Sequence, residues 1–143
     1  MAVYNQAESE HIFIGKLEHG ADLLEELTGV CEEKNIRLGY VVALGAVRKA
    51  RLGYYNQETK EYKFFELNKN LEITSLSGNI SLRDGQPMVH AHITVSDSNG
   101  RTFGGHLAPG TIVFACEFII TALSGPQLTR DHDDQTGLPL WKI

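Results

Sequence analysis

Between residues 87 and 96 apolar and polar side chains alternate. Val89, Ala91, Ile93 and Val95 fall on one face, and Met88, His90, His92, Thr94 and Ser96 on the other. A period of two marks a strand with one buried face. It also makes His90 and His92 point the same way, roughly 7 Å apart along the strand. Asp97 to Gly100 is a run of turn formers, and a short return strand leads through Gly104 and Gly105 to His106. Further strands are predicted over 10–17, 36–47, 49–56, 60–67, 71–82 and 111–123. The run 36–47 is apolar almost throughout, as in a strand buried on both faces, with Gly39 and Gly45 permitting a bulge. Asp84-Gly85 signals the hairpin that turns 71–82 back into the histidine strand.

Helical spacing occurs once. Leu23, Leu24, Leu27, Val30 and Cys31 form an apolar stripe. Asp22 is placed to cap it, with Glu25 three residues on, and Asn35 marks its end. The expected fold is α+β: a mostly antiparallel sheet of six to eight strands with one main helix packed on it. The chain reads as a single domain over 1–143, with a core over about 10–125 and a tail over 126–143. The tail is polar but ends in an apolar stretch, Leu138 to Ile143, which should dock onto this chain or a neighbouring subunit.

With 143 residues the chain can bury a core of its own. The net charge of −5, with no more than two basic residues in a row, gives no long-range attraction to DNA or an anionic membrane. Arg48, Lys49 and Arg51 form the one basic cluster and could neutralise about three phosphates. Solvated strand ends explain them more simply. Cys31 and Cys116 both sit in apolar patterns and read as buried free thiols of a reducing compartment. The N-terminus has neither the basic nor the apolar region of a signal peptide, and no stretch is long and apolar enough to span a bilayer. The expected location is the cytoplasm.

The chemistry centres on imidazole. Two histidines on one strand face, with a third delivered beside them by Gly104-Gly105, can ligate one divalent ion, with zinc the first candidate. Three protein ligands leave a position open, which allows activation of water or polarisation of a carbonyl. Metal-assisted hydration or hydrolysis of a small-molecule ligand is the natural reaction class. The plain alternative is three polar residues on a wet strand face. Glu72 and Glu117 are the candidate carboxylates to hold the outer ring nitrogens. Glu117 lies in the most apolar strand and so requires a partner or a cavity. His11, His19 and His132 lack comparable spacing and read as surface residues. Cupins share His-x-His but follow it with a glutamate, where this chain has Val95 and Ser96. No Gly-x-Ser-x-Gly elbow or phosphate-cradling Gly-x-x-x-x-Gly-Lys is present.

Three stretches together resemble a known family. Leu71-Glu-Ile-Thr-Ser-Leu-Ser-Gly78 is similar to the Glu/Asp-Ile-Leu-Ser-Leu-Ser-Gly signature of the PPC domain, shared by plants and prokaryotes. Val89 to Asp97, with Gly104-Gly105-His106-Leu107, resembles the second half of its prokaryotic form. Ala43 to Val47, with Leu52 to Tyr55, resembles the first half. The resemblance spans roughly 10–125. It implies a compact α+β domain that assembles as a homotrimer, and it carries the family histidines onto His90, His92 and His106. It also implies a DNA-binding or DNA-associated role, although the Arg-Gly-Arg-Pro hook of plant members is missing. A purely structural or partner-binding trimer is the third reading, and it stands if neither metal nor DNA binds.

Overall fold

The structure, a computed structural model, describes residues 1–143. In chain order the elements are β1 (Glu8–Leu17), α1 (Leu23–Glu33), β2 (Gly39–Asn56), β3 (Glu61–Leu67), β4 (Leu71–Arg83), β5 (Gln86–Ser96), β6 (Thr102–Leu107), β7 (Ile112–Ser124), β8 (Thr129–His132) and β9 (Pro139–Lys142). They form one nine-stranded sheet in the order β1-β7-β2-β6-β5-β4-β8-β9, with β3 paired to β2. Because β2 also pairs with β4, the strands β2, β6, β5 and β4 close a ring. All pairings are antiparallel except β4 with β8, which meet in parallel at Leu82 and Thr129.

This is sheet-dominated rather than an even α+β fold with a main helix. Its one helix, α1, has 11 residues. Two differences account for the strand count. The segments 36–47 and 49–56, expected as separate strands, run on as β2, an 18-residue strand. The tail, for which no strand was predicted, folds into the β8–β9 hairpin and docks on β4 of this same chain. Residues 39–47 of β2 lie between β4 and β7, and its second half between β3 and β6. Shifts of register near Gly45 let one strand serve both sets of neighbours without breaking. Gly45 has φ 145°, and a Cβ there would collide with the Ala115 carbonyl of β7.

Nor is β2 buried on both faces. Val41, Ala43 and Val47 enter the core, whereas Tyr40, Val42 and Leu44 stay exposed. Only one side of this sheet segment has a layer packed on it, so an apolar run still divides with period two. The core is a single cluster that joins Leu23, Leu27 and Cys31 of α1 to the inward rows of the strands, including Val89, Ala91, Ile93 and Val95 of β5.

The turn chemistry follows the sequence closely. Asn35 (φ 51°) takes the left-handed conformation just past α1, and Asp84 and Gly85 (φ 51° and 77°) make the tight turn into β5. At the start of α1, Asp22 Oδ1 accepts from the backbone N–H groups of Leu24 and Glu25 at 3.0 and 3.1 Å. Its second oxygen accepts from Gly110 N, which ties the helix start to the loop before β7. Asp22→Ala removes a cap worth about 0.5–2 kcal/mol. Urea unfolding should show a lower midpoint with an unchanged slope.

Burial pushes the Cys31 thiol up to about 12 and the Cys116 thiol up to about 11, with neighbouring Glu32 and Glu117 adding to it. Thiolate is the reactive form. The native protein should therefore leave a disulfide reagent unconsumed over minutes, and denaturant should release both thiols. A fast native reaction would show that one of them is accessible. No helix is long and apolar enough to cross a membrane.

Candidate metal centre

The outward row of β5 carries His90 and His92, as the alternation requires. Pairing of β5 with β6 sets His106 directly opposite His92. Glycine makes this approach possible: a Cβ at Gly105 would stand 2.7 Å from the Gly53 carbonyl of β2, so a larger residue would push β6 away. His106 in turn pairs with Gly53, and the aromatic rings of Tyr62 and Phe64 on β3 lie over that glycine. Gly104 and Gly105 therefore act within a strand and not in a turn.

The three imidazoles converge. Ring centroids are 5.2 Å apart for His90 and His92, 5.1 Å for His90 and His106, and 5.7 Å for His92 and His106. One potential ligand atom from each lies within 4.8 Å of the others. Ligands at 2.0–2.1 Å from one tetrahedral ion stand about 3.4 Å apart, so the ligand atoms have to close in by up to about 1.4 Å to share one. His90 and His106 are half-buried and His92 is exposed.

Burial pulls the His90 imidazole down to about 4, helped by the Arg130 charge and then by the other two histidines. His106 is lowered as well, by burial first and then by His92 and Arg130. Both rings are therefore neutral at pH 7, the form that ligates a metal. His106 Nδ1 is buried with no hydrogen-bond partner. A buried unsatisfied nitrogen is costly, and a donor set of three converging imidazoles with an unspent nitrogen fits a divalent ion.

The surroundings differ from the sequence expectation. Glu72 is exposed at the far end of β4, paired with Ser96, while the residue of β4 opposite His92 is Ser77. Glu117 is also exposed, on β7 across from Leu44 and Lys16, and β7 adjoins neither β5 nor β6. The outward row of β7 is open, so that carboxylate has water and needs no buried partner. Neither glutamate hydrogen-bonds to a histidine.

The neighbour is Arg130 instead, which β8 brings in from the tail. Its Nη2 stands 3.4 Å from His90 Nδ1 and 2.6 Å from Asn79 Oδ1. Arginine has only donors to offer, so His90 Nδ1 accepts at this contact with its lone pair, and an ion at that nitrogen would have to displace the arginine. Arg130 Nε donates to Ser81 Oγ, and Nη1 donates to the Pro139 carbonyl. Tyr62 packs on His106 with ring centroids 4.9 Å apart. Sequence reasoning missed Arg130 because it sits among charges in a polar tail. A usable signal did exist in β4, where Ser77, Asn79 and Ser81 form a polar row beside the histidines.

Lys49 pairs with Glu66 at 2.9 Å, Arg51 lies 4.3 Å from the Phe64 ring centroid, and Arg48 is exposed. His11, His19 and His132 are exposed, and His19 Nδ1 is 2.7 Å from the Phe114 carbonyl.

The sequence model of the Plants and Prokaryotes Conserved (PCC) domain matches residues 4–124. The chain belongs to this family. The PCC domain is the PPC domain of the sequence reading, and solved relatives share its fold along the whole chain. A metal-containing protein from Archaeoglobus fulgidus is 42% identical, with a TM-score of 0.95 over 99% of this chain and 100% of that one. A plant- and prokaryote-conserved protein from Pyrococcus horikoshii is 32% identical, with a TM-score of 0.93 over 99% and 98%. The bifunctional protein GlmU from Synechococcus sp. (strain JA-3-3Ab) is 36% identical over 124 residues, 85% of this PCC chain. The chain spans 19% of that relative's length.

Proposed function

We propose that this PCC-domain protein binds one divalent metal ion per chain through His90, His92 and His106, and that it works as a homotrimer. The observation that carries the first part is the convergence of three imidazoles, with His106 Nδ1 left without a partner. The metal content of the Archaeoglobus fulgidus protein, 42% identical, supports it. Imidazole donors suit zinc, copper, iron and nickel better than magnesium or calcium, and zinc is the first choice. When bound, the ion supplies Lewis-acid polarisation of an oxygen-bearing group. Tyr62 and the β3 aromatics shield one side of the rings, and Arg130 holds a positive charge beside them. The reaction class this supports is hydration or hydrolysis of a small molecule.

The trimer rests on a different feature. Ile12 and Ile14 of β1, Val42 and Leu44 of β2, and Ile119 of β7 form an exposed apolar face. A groove of about 750 Å³ runs through it, between Ile14, Leu44 and Ile119. A contiguous apolar surface of this kind marks an interaction site, and another copy of the chain is the occupant the family resemblance implies.

Elemental analysis of protein purified without an affinity tag tests the metal. About one transition metal per chain is the expected result. Protein that arrives empty and takes up neither zinc nor cobalt on dialysis would overturn the reading.

A further inference from the structure

Beside the histidines lies a cleft of about 320 Å³, with His90 and His106 in one wall and Lys60, Arg83 and Arg130 around the rest. None of its lining residues is acidic. Arg130 is only 9% exposed, yet every partner it has is neutral: Ser81, Asn79, the Pro139 carbonyl, His90 and the face of Trp141 at 5.5 Å. A buried cation without a counter-charge is costly, because hydrogen bonds to neutral groups replace only part of its lost hydration. Arg83, at the open side, makes no ion pair within the chain. Lys60 spends one hydrogen on the Asp134 carbonyl at 2.9 Å and keeps the rest. The tail's carboxylates are engaged elsewhere: Asp131 stands 3.9 Å from Lys142, Asp133 accepts from Thr136, and Asp134 lies 3.4 Å from His132.

We propose that this cleft receives a small molecule bearing an oxyanion, a carboxylate or a phosphate, whose negative end sits among Arg83, Arg130 and Lys60 and whose other end reaches the histidines. The volume is at the small end of ligand sites and suits a small molecule. Guanidinium groups match the two-oxygen edge shared by carboxylate and phosphate. The assignment of the far end rests on the metal reading given above; the oxyanion seat itself does not.

The test is calorimetric titration with inorganic phosphate in one arm and acetate in the other. Each is run on metal-loaded protein and on protein stripped by chelator. Arg83 is exposed, so Arg83→Ala leaves the fold intact where an Arg130 variant could fail to fold. Saturable binding is expected with Kd of about 1 mM or tighter, weakened at least about tenfold by Arg83→Ala and largely restored in Arg83→Lys. The arm that binds more tightly identifies the head group. Absence of saturable binding in both arms overturns the proposal. So does binding that needs the metal and ignores Arg83, and the metal reading then stands alone. Binding that depends on Arg83, in a chain that takes up neither zinc nor cobalt on dialysis, leaves the oxyanion seat standing and removes the metal.

Discussion

Replacing His92 with alanine is expected to empty the metal centre while leaving the fold intact. Both halves of this follow from where His92 lies. It is the exposed member of the three, and the residues that hold β5 in the core are its neighbours Ala91 and Ile93, each 2% exposed. Truncating an outward side chain opens no cavity, so the unfolding midpoint of the metal-free protein should barely move. The site itself loses one of three ligands. Loss of an outer hydrogen-bond partner already costs a metal site about 10–100-fold in affinity, so loss of a ligand should exceed that range. Chelator competition measures the affinity, and sedimentation of the same sample shows whether assembly survives. His132→Ala serves as the control, an exposed histidine of the tail that should retain the metal. Stoichiometric metal in His92→Ala would place the ion elsewhere.

Leu44→Glu is expected to turn the proposed trimer into monomers. In the single chain Leu44 is 60% exposed, so a carboxylate there meets water and costs the fold little. Across the strand pair it faces Glu117, which adds a like charge to the same patch. Packed against another copy, the new carboxylate would lose its water without gaining a partner, a penalty of several kcal/mol. Each 1.4 kcal/mol is tenfold in a dissociation constant, so assembly should weaken by more than about 100-fold. Sedimentation velocity at micromolar concentration reads this directly. Should Leu44→Glu sediment like the unaltered protein, the apolar face of β1, β2 and β7 is not the seam.

What could be read from residues alone was whatever depends on local period and turn chemistry. The alternation across Val89 to Val95 placed two histidines on one outward row, and Asp84-Gly85 placed the turn before them. The stripe from Leu23 to Cys31, capped by Asp22, became α1. What failed depends on which strands become neighbours. The apolar run in β2 looked doubly buried because sequence records hydrophobicity and not whether a second layer covers it. Glu117 looked buried for the same reason. Glu72 and Glu117 were drawn to the histidines by charge alone, whereas register sets Ser77 and Asn79 beside them. Arg130 was invisible because its place depends on a hairpin whose strands have four residues each, too short to show a period.

That hairpin also divides the labour of the site along the chain. The family match ends at residue 124, and all three histidines fall inside it. Of the cleft's three cations, Arg130 lies beyond it, as does the Thr136 carbonyl that accepts from Tyr55 in the cleft wall, while Lys60 and Arg83 lie inside it. The three proposed ion ligands and one of the three cations of the proposed anion seat therefore lie in separate stretches of the chain. Variation after residue 124 would then change one of the cleft's three cations and leave all three histidines in place.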